Sequence, residues 1–309
     1  MIKGTYIIYE NGKEICRSSN VITKFGKRFL TNFIAGLVPN GKKDMAIGID
    51  NTAATVNDTR LGFEFYRAPI DISSVNIRTV DNVTSYSVVY KATIPQDVSG
   101  KISEIGLYPS TNISVSNYDS AFVSDFNDPL SWLDDAGNPA ELSFSNSRIG
   151  NSSLKLSSSN ESAKEYFANL SMDLSGYGLA DSVKLSYFQE DLNLSSIKIR
   201  FYSSDLSYFE STITPTNATG FKFSSNILMS EFYGNAIENP DKINITKVGI
   251  IVVPKTGEDT VIYLDGLRIN DEDTFNPNMG IISRSVLGQS IDKLSGRSID
   301  IEYVMDLSF

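Results

Sequence analysis

Apolar and polar residues take turns, one by one, along two stretches of this sequence. Over 85–94, Tyr86, Val88, Tyr90, Ala92 and Ile94 alternate with Ser85, Ser87, Lys91 and Thr93. Over 298–309, Ile299, Ile301, Tyr303, Met305, Leu307 and Phe309 alternate with Ser298, Asp300, Glu302, Asp306 and Ser308, with Val304 the one apolar member of the outer set. A period of two is that of a β-strand with one face buried. Such strands belong to antiparallel sheets that cover a core on one side. One stretch alone carries a strong helical period: Val21, Ile22, Phe25, Phe29, Leu30, Phe33, Ile34 and Leu37, with Gly36 to end it and Pro39 just beyond. The expected fold is mainly β, with one N-terminal amphipathic helix.

The first residues read as a hairpin: Thr5–Tyr9 and Glu14–Arg17 flank Asn11-Gly12, a favoured two-residue turn. Lys101–Tyr108 is the expected partner of strand 85–94, after a turn at Ser99-Gly100. From about residue 112 the chain becomes rich in Ser and Asn, and short strands recur: 154–157, 183–188, 197–202, 247–253 and 261–269. Many short strands between turn signals predict a sandwich. The polar segment 271–278 reads as a connector. A length of 309 residues is enough for two cores.

Composition narrows the function. The chain has no histidine, which excludes a Ser-His-Asp triad, a Cys-His dyad and the usual zinc sites. Net charge is −10 and basic residues are scattered, apart from Lys24, Lys27 and Arg28, so no nucleic-acid partner is expected. Cys16 is the sole cysteine; it permits no internal disulfide and fits synthesis in a reducing cytoplasm. No apolar run approaches a membrane span, and MIKGTYIIYENGKE lacks the features of a signal peptide. Membrane insertion and secretion are not expected.

Two resemblances add to this reading. The stretches GKRFLTNFIAGL, MAIGID, TRLGFEFYRAPI and KISEIGLYP, with Leu61, Glu64 and Arg67 spaced as L-x-x-E-x-x-R, resemble the N-terminal domain of phage tail-fibre, baseplate and other virion appendage proteins. SRSVLGQSIDKLSGRSIDIEYVMDLSF resembles the closing hairpin of that domain; Ile49-Asp50 departs from its usual small-residue turn. The resemblance implies an antiparallel β-sandwich shell domain in which Glu64, Arg67 and Glu104 serve structure and assembly. It also implies other virion proteins as partners, a homo-oligomer with threefold symmetry as first choice, and location in the virion. The bland reading of Glu64 and Arg67 is a solvated pair worth under about 1 kcal/mol.

FNDPLSW (126–132), GNSSLKLSS (150–158) and VIYLDGLRI (261–269) resemble strands of galactose-binding-like jelly rolls, the fold of many carbohydrate-binding modules. Taken together, the two resemblances imply a jelly roll over 115–271 inserted into a shell domain of 1–114 and 272–309. The residues alone also permit three consecutive domains. In related jelly rolls the first and last strands often share a structural calcium, which makes Asp125, Asn127, Asp128 and Asp265 candidate oxygen ligands. Their plainer reading is turn chemistry. Trp132, Tyr166, Tyr177, Tyr202, Tyr208 and Tyr233 are candidate sugar-facing rings; packing in a core is the plainer role of Trp132, and ordinary sheet packing that of the tyrosines.

The carboxylate doublets Asp134-Asp135, Glu190-Asp191 and 271–273 are poor catalytic pairs, because neighbours on a strand point to opposite faces. The expectation is a non-enzymatic structural protein of a tailed-phage virion, from a tail fibre, baseplate, collar or capsid fibre. It would assemble through the shell domain and display a jelly roll toward host-surface polysaccharide. The alternative is a carboxylate-based polysaccharide-degrading enzyme of the virion.

Overall fold

The computed structural model describes residues 2–37, 43–80, 83–109, 122–159, 162–270 and 280–307. The connector 271–278, Pro39 and the last two residues of the alternating C-terminal strand lie outside them. The protein is mainly β, built of antiparallel sheets, and divides into two compact units. One comprises Met1–Ile113 and Thr274–Phe309; the other is Ser114–Asp273. Among the described residues no helix is long and apolar enough to cross a membrane.

The first unit contains β1 (Ile2–Glu10), β2 (Lys13–Ser19), β3 (Val21–Ile22), α1 (Lys24–Ile34), β4 (Lys43–Gly48), β5 (Glu64–Pro69), β6 (Ile72–Val80), β7 (Val83–Ile94) and β8 (Gly100–Pro109). The second unit contains β9 (Phe122–Ser124), β10 (Leu133–Asp134), β11 (Glu141–Ser143), β12 (Ser153–Ser158), β13 (Lys164–Met172), β14 (Ser182–Gln189) and β15 (Leu194–Ser204). It continues with β16 (Ser207–Ile213), β17 (Gly220–Phe223), β18 (Ile227–Leu228), α2 (Met229–Gly234), β19 (Ala236–Ile237), β20 (Ile245–Pro254) and β21 (Thr260–Asn270). β22 (Ser283–Lys293) and β23 (Ile299–Leu307) complete the first unit.

In the first unit two five-stranded sheets, β2-β1-β23-β7-β6 and β3-β22-β8-β4-β5, share one core. Tyr6, Ile8, Ala92, Ile94, Ile301 and Tyr303 of one sheet meet Met45, Ile47, Ile102, Ile105 and Leu107 of the other. Asn11 and Gly12 take φ 52 and 75 between Glu10 and Lys13, the positive pair that a tight hairpin needs. Two expected pairings are corrected. β7 and β8 do not form a hairpin but lie in opposite sheets, and so do β22 and β23. Each connection crosses the core, and β8 is central and buried along nearly its whole length, between β22 and β4.

The helix starts later than its apolar period. Val21 and Ile22 pair with Arg284 and Ser283 as a short strand, and Thr23 caps α1, its Oγ1 accepting from Gly26 N at 2.9 Å. Gly36, at φ +70, turns the chain out of the helix. Gly26 is required by space: a Cβ there would lie 2.0 Å from the carbonyl oxygen of Ile282. Gly26→Ala is expected to destabilise the protein by about 1–3 kcal/mol through overpacking, read from the urea midpoint.

The second unit is a jelly-roll-like β-sandwich. Its sheets are β10-β13-β20-β15-β16-β19 and β11-β12-β21-β14-β17, with β9 paired to β21 and β18 to β14. Leu154, Leu156, Val183, Leu185, Ile197, Ile199, Phe201, Val248, Ile250 and Leu264 fill the space between them, and Phe232 of α2 joins the same core.

Candidate functional site

The six-stranded sheet of the second unit turns its apolar residues inward, so the intervening residues form an outer face. On β15, Ile197, Ile199 and Phe201 enter the core, leaving Lys198 and Arg200 half-buried on the outer face, with Tyr202 on the same face but covered by its neighbours. On β16, Phe209 is inside, and Tyr208 and Glu210 are outside. β13 contributes Glu165 and Phe167, and β20 contributes Lys247 and Gly249. Register places Arg200 between Gly249 and Glu210, and Tyr202 between Lys247 and Tyr208. Phe167 lies across Gly249 on the far side.

These side chains form one connected network. Arg200 Nε donates to Glu210 Oε2 at 2.7 Å, while Nη1 reaches Glu165 Oε2 at 3.2 Å and Tyr202 Oη at 3.1 Å. Tyr202 Oη donates to Glu165 Oε1 at 2.5 Å. Lys198 Nζ donates to Glu210 Oε1 at 2.9 Å. The Arg200 guanidinium sits 4.4 Å from the Tyr208 ring centroid, and the Tyr202 and Tyr208 rings are 5.1 Å apart. Lys247 Nζ lies 4.3 Å from the Tyr202 ring and 4.8 Å from that of Phe167, and pairs with Asp205 at 2.8 Å. Gly249 makes the floor: a Cβ there would stand 2.3 Å from Glu165 Oε1 and 3.0 Å from Tyr202 Cε2.

Charge states follow from the contacts. Burial and the Glu165 acceptor push the Tyr202 phenol well above its ordinary value, so it stays a donor. Burial favours the neutral form of Glu210, but the hydrogen bonds from Lys198 and Arg200 prevail and hold its carboxyl below the usual range. Burial also works against the Arg200 cation, and Tyr202, Glu210 and Glu165 more than offset it. Fixed donors, fixed acceptors and the half-buried rings of Tyr208 and Phe167 therefore share the outer face of the sheet, with Tyr202 buried among them. Such a surface can stack a flat apolar ring face and hydrogen-bond polar groups around its rim.

Of the aromatic candidates, Tyr202 and Tyr208 belong to this network. Trp132 is buried in the core with its ring 4.9 Å from that of Phe126. Tyr166 is buried too, and its hydroxyl donates to Ser157 O at 3.0 Å. Tyr177 packs against the same core. As sugar-facing rings these three are corrected, each at a position that strand alternation turns inward or that a loop folds under, and Tyr202 is corrected with them, since its ring is as buried as that of Tyr166 and only its hydroxyl joins the network. Arg200, Glu165 and Glu210 were missed. Their signal is the polar phase of IKIRFY and SYFEST, visible only beside the apolar phase of the same strands.

The candidate calcium ligands accept hydrogen bonds from the chain around them. Asp125 Oδ1 accepts from Asn127 N, and Asp128 Oδ1 caps Leu130 N. Asn127 Oδ1 accepts from Ser152 N and Oγ, both at 3.1 Å. Asp265 Oδ1 accepts from Arg148 N at 2.9 Å and Ile149 N at 3.1 Å. Calcium asks for six to eight oxygens, and among the described residues no three His, Cys, Asp or Glu side chains come together to hold a metal. Each of the four serves as a turn or loop acceptor.

In the first unit, Glu64 and Arg67 form a bidentate pair, both contacts 2.8 Å, and the guanidinium lies 3.7 Å from the Tyr108 ring centroid. Glu104 is not part of that pair. It is fully buried and bound to Arg284, 180 residues away, at 2.8 Å.

No family model matches the chain, and no curated protein does. Three solved structures illustrate the likeness that is found. A family 30 carbohydrate-binding module of a cellulosomal cellulase of Clostridium thermocellum is 13% identical with a TM-score of 0.38, over 50% of this chain and 98% of the module. An agarase is 11% identical with a TM-score of 0.35, over 49% of this chain and 24% of the agarase. A glycoside hydrolase domain, Endo-D from Streptococcus pneumoniae R6, is 14% identical with a TM-score of 0.30, over 46% of this chain and 22% of that one. These are likenesses of fold, and the chain spans about a quarter of the length of the agarase it matches. The expectation that the protein is not an enzyme is corrected by the same comparison, because glycoside hydrolases stand among the matched structures.

Proposed function

We propose that the unit Ser114–Asp273 binds glycan on its six-stranded face, and that the protein displays it as a structural component of a tailed-phage virion. The observation that carries the glycan reading is the network of Arg200, Tyr202, Glu165 and Glu210 beside the rings of Tyr208 and Phe167. Sugars are recognised by ring stacking on their C–H faces and by pre-ordered hydrogen bonds to their hydroxyls; this face supplies both, with its side chains already tied in place. The virion reading rests on the motifs GKRFLTNFIAGL, MAIGID and KISEIGLY and on their resemblance to appendage domains.

Titration of the full chain against a panel of bacterial surface polysaccharides tests the glycan reading. Arg200→Ala and Tyr208→Ala are each expected to weaken binding roughly tenfold or more, about 1.4 kcal/mol, with the melting temperature of each variant measured alongside. Unchanged affinity in both variants would reject this face as the site. Release of reducing ends during the titration, lost in Glu165→Gln or Glu210→Gln, would replace the binding reading by a hydrolytic one. Gold-labelled antibody against 116–270 on intact particles tests the virion reading, and absence of label would reject it.

A further inference from the structure

We propose that β6 is a self-association edge, pairing antiparallel with β6 of a second copy of this chain across a twofold axis at Asn76. The inference is independent of what the six-stranded face binds.

A sheet edge offers unpaired backbone groups, and proteins that stay monomeric usually blunt it with charge, proline, bulges or brevity. Among the described residues the other terminal strands of the four sheets are charged, shifted in register or short. β2 carries Lys13, Glu14 and Arg17, and its ladder with β1 is broken between Ile8 and Tyr9. β5 carries Glu64, Arg67 and Pro69, with a register shift opposite Ile47/Gly48. β3, β10 and β19 have two residues each, β11 has three and β17 has four. β6 has nine, with no proline, lysine or acidic residue, and its ladder with β7 runs unbroken from Ile72↔Lys91 to Val80↔Val83. Among the described residues no strand pairs its other edge.

The strand is also apolar where water meets it. Ser73 through Ile77 are all exposed; Val75 is 66% and Ile77 65% accessible. Val75 lies opposite Val88 and Ile77 opposite Tyr86, itself 40% accessible, so the apolar strip continues onto β7.

A second copy fits by register. Antiparallel pairing about Asn76 sets Val75 against Ile77 and Ile77 against Val75, which extends the strip across the axis. The contact uses one patch twice, which is the condition for a closed twofold dimer.

The mass of the full chain by light scattering, at roughly 50 micromolar, is the first test. Twice 34.0 kDa is expected, returning to the single-chain mass in Val75→Lys and Ile77→Lys with circular dichroism and melting temperature unchanged. Cross-linking then reads the register. In a Cys16→Ser background, Asn76→Cys is expected to form a disulfide-linked dimer on mild oxidation, because residues facing each other across an antiparallel pair bring Cβ atoms to about 4.5–5.5 Å. Ser74→Cys is expected to stay unlinked. A single-chain mass, a threefold mass, a dimer indifferent to both lysines, or equal cross-linking at 74 and 76 would each overturn the proposal.

Discussion

Arg284→Ala is expected to cost about 3–5 kcal/mol, because it strands a buried carboxylate. Glu104 is fully buried on β8. Its Oε1 accepts from Phe63 N at 2.8 Å and Asp50 N at 3.3 Å, and its Oε2 from Gly62 N at 2.9 Å and Arg284 Nε at 2.9 Å. Arg284 also binds Asp58 at 2.8 Å and the Thr52 carbonyl at 3.1 Å, so one guanidinium ties loop 50–63 to the sheet. Burial pushes the Glu104 carboxyl above its ordinary value even with Arg284 present. Without the guanidinium that push is unopposed except by the backbone donors, and the acid gains more from protonation. The deficit of the variant is therefore expected to be larger at pH 8 than at pH 5. Urea unfolding at both pH values measures it; a loss under about 1 kcal/mol at pH 8 would mean that water reaches Glu104 and the network is a surface pair in effect.

The Arg284–Glu104 pair also marks where the sequence stops being legible. Alternation over 85–94 and 298–309 shows which side chains enter a core, and Ala92, Ile94, Ile299, Ile301 and Tyr303 do. It is silent on which sheet a strand joins. A turn such as Ser99-Gly100 looks the same whether it closes a hairpin or carries the chain across the sandwich, which is why β7 and β8 read as partners and are not. Asn11-Gly12 was legible because a two-residue turn with two positive φ values permits little else. Val21 and Ile22 share the helical period but precede the Thr23 cap, and their pairing to Arg284 and Ser283 depends on a strand from the far end of the sequence. The candidate site failed to show for a related reason. Glu165, Arg200 and Glu210 are unremarkable polar residues on three strands, and only the register of β13, β20, β15 and β16 brings them onto one guanidinium.

Asp265 sets the expected pH dependence of the second unit. Ser186 pairs with Gly266 and Tyr187 with Leu264, so Asp265 is the extra residue of a bulge in β21. It is wholly buried. One oxygen takes both backbone donors, from Arg148 and Ile149, and fixes the loop before β12. The other oxygen finds no hydrogen bond. Ser186 Oγ faces it without reaching hydrogen-bond geometry, a weak lowering influence beside the burial, and Ser153 Oγ on the flanking strand is also unpartnered. Burial raises the carboxyl to about 7, against the lowering effects of Arg148 and Ile149. An unfolded Asp titrates near 3.9. Between those values the folded chain holds a proton that the unfolded chain has lost, so stability falls as pH rises from about 4 to about 7. The full difference is roughly 4 kcal/mol. The chain has no histidine to titrate in the same window. Below it the sign reverses, because Asp58, Glu210 and Asp300 are held low by their partners and lose that stabilisation as they protonate. Asp265→Asn keeps the acceptor for Arg148 and Ile149 and gives Ser186 a donor in place of a buried charge. It is therefore expected to match the wild type near pH 5 and to melt higher at pH 8, with the slope between them largely removed. Melting curves of both proteins at the two pH values decide it. Equal slopes would mean that the carboxyl is solvated and that the bulge does not bury it.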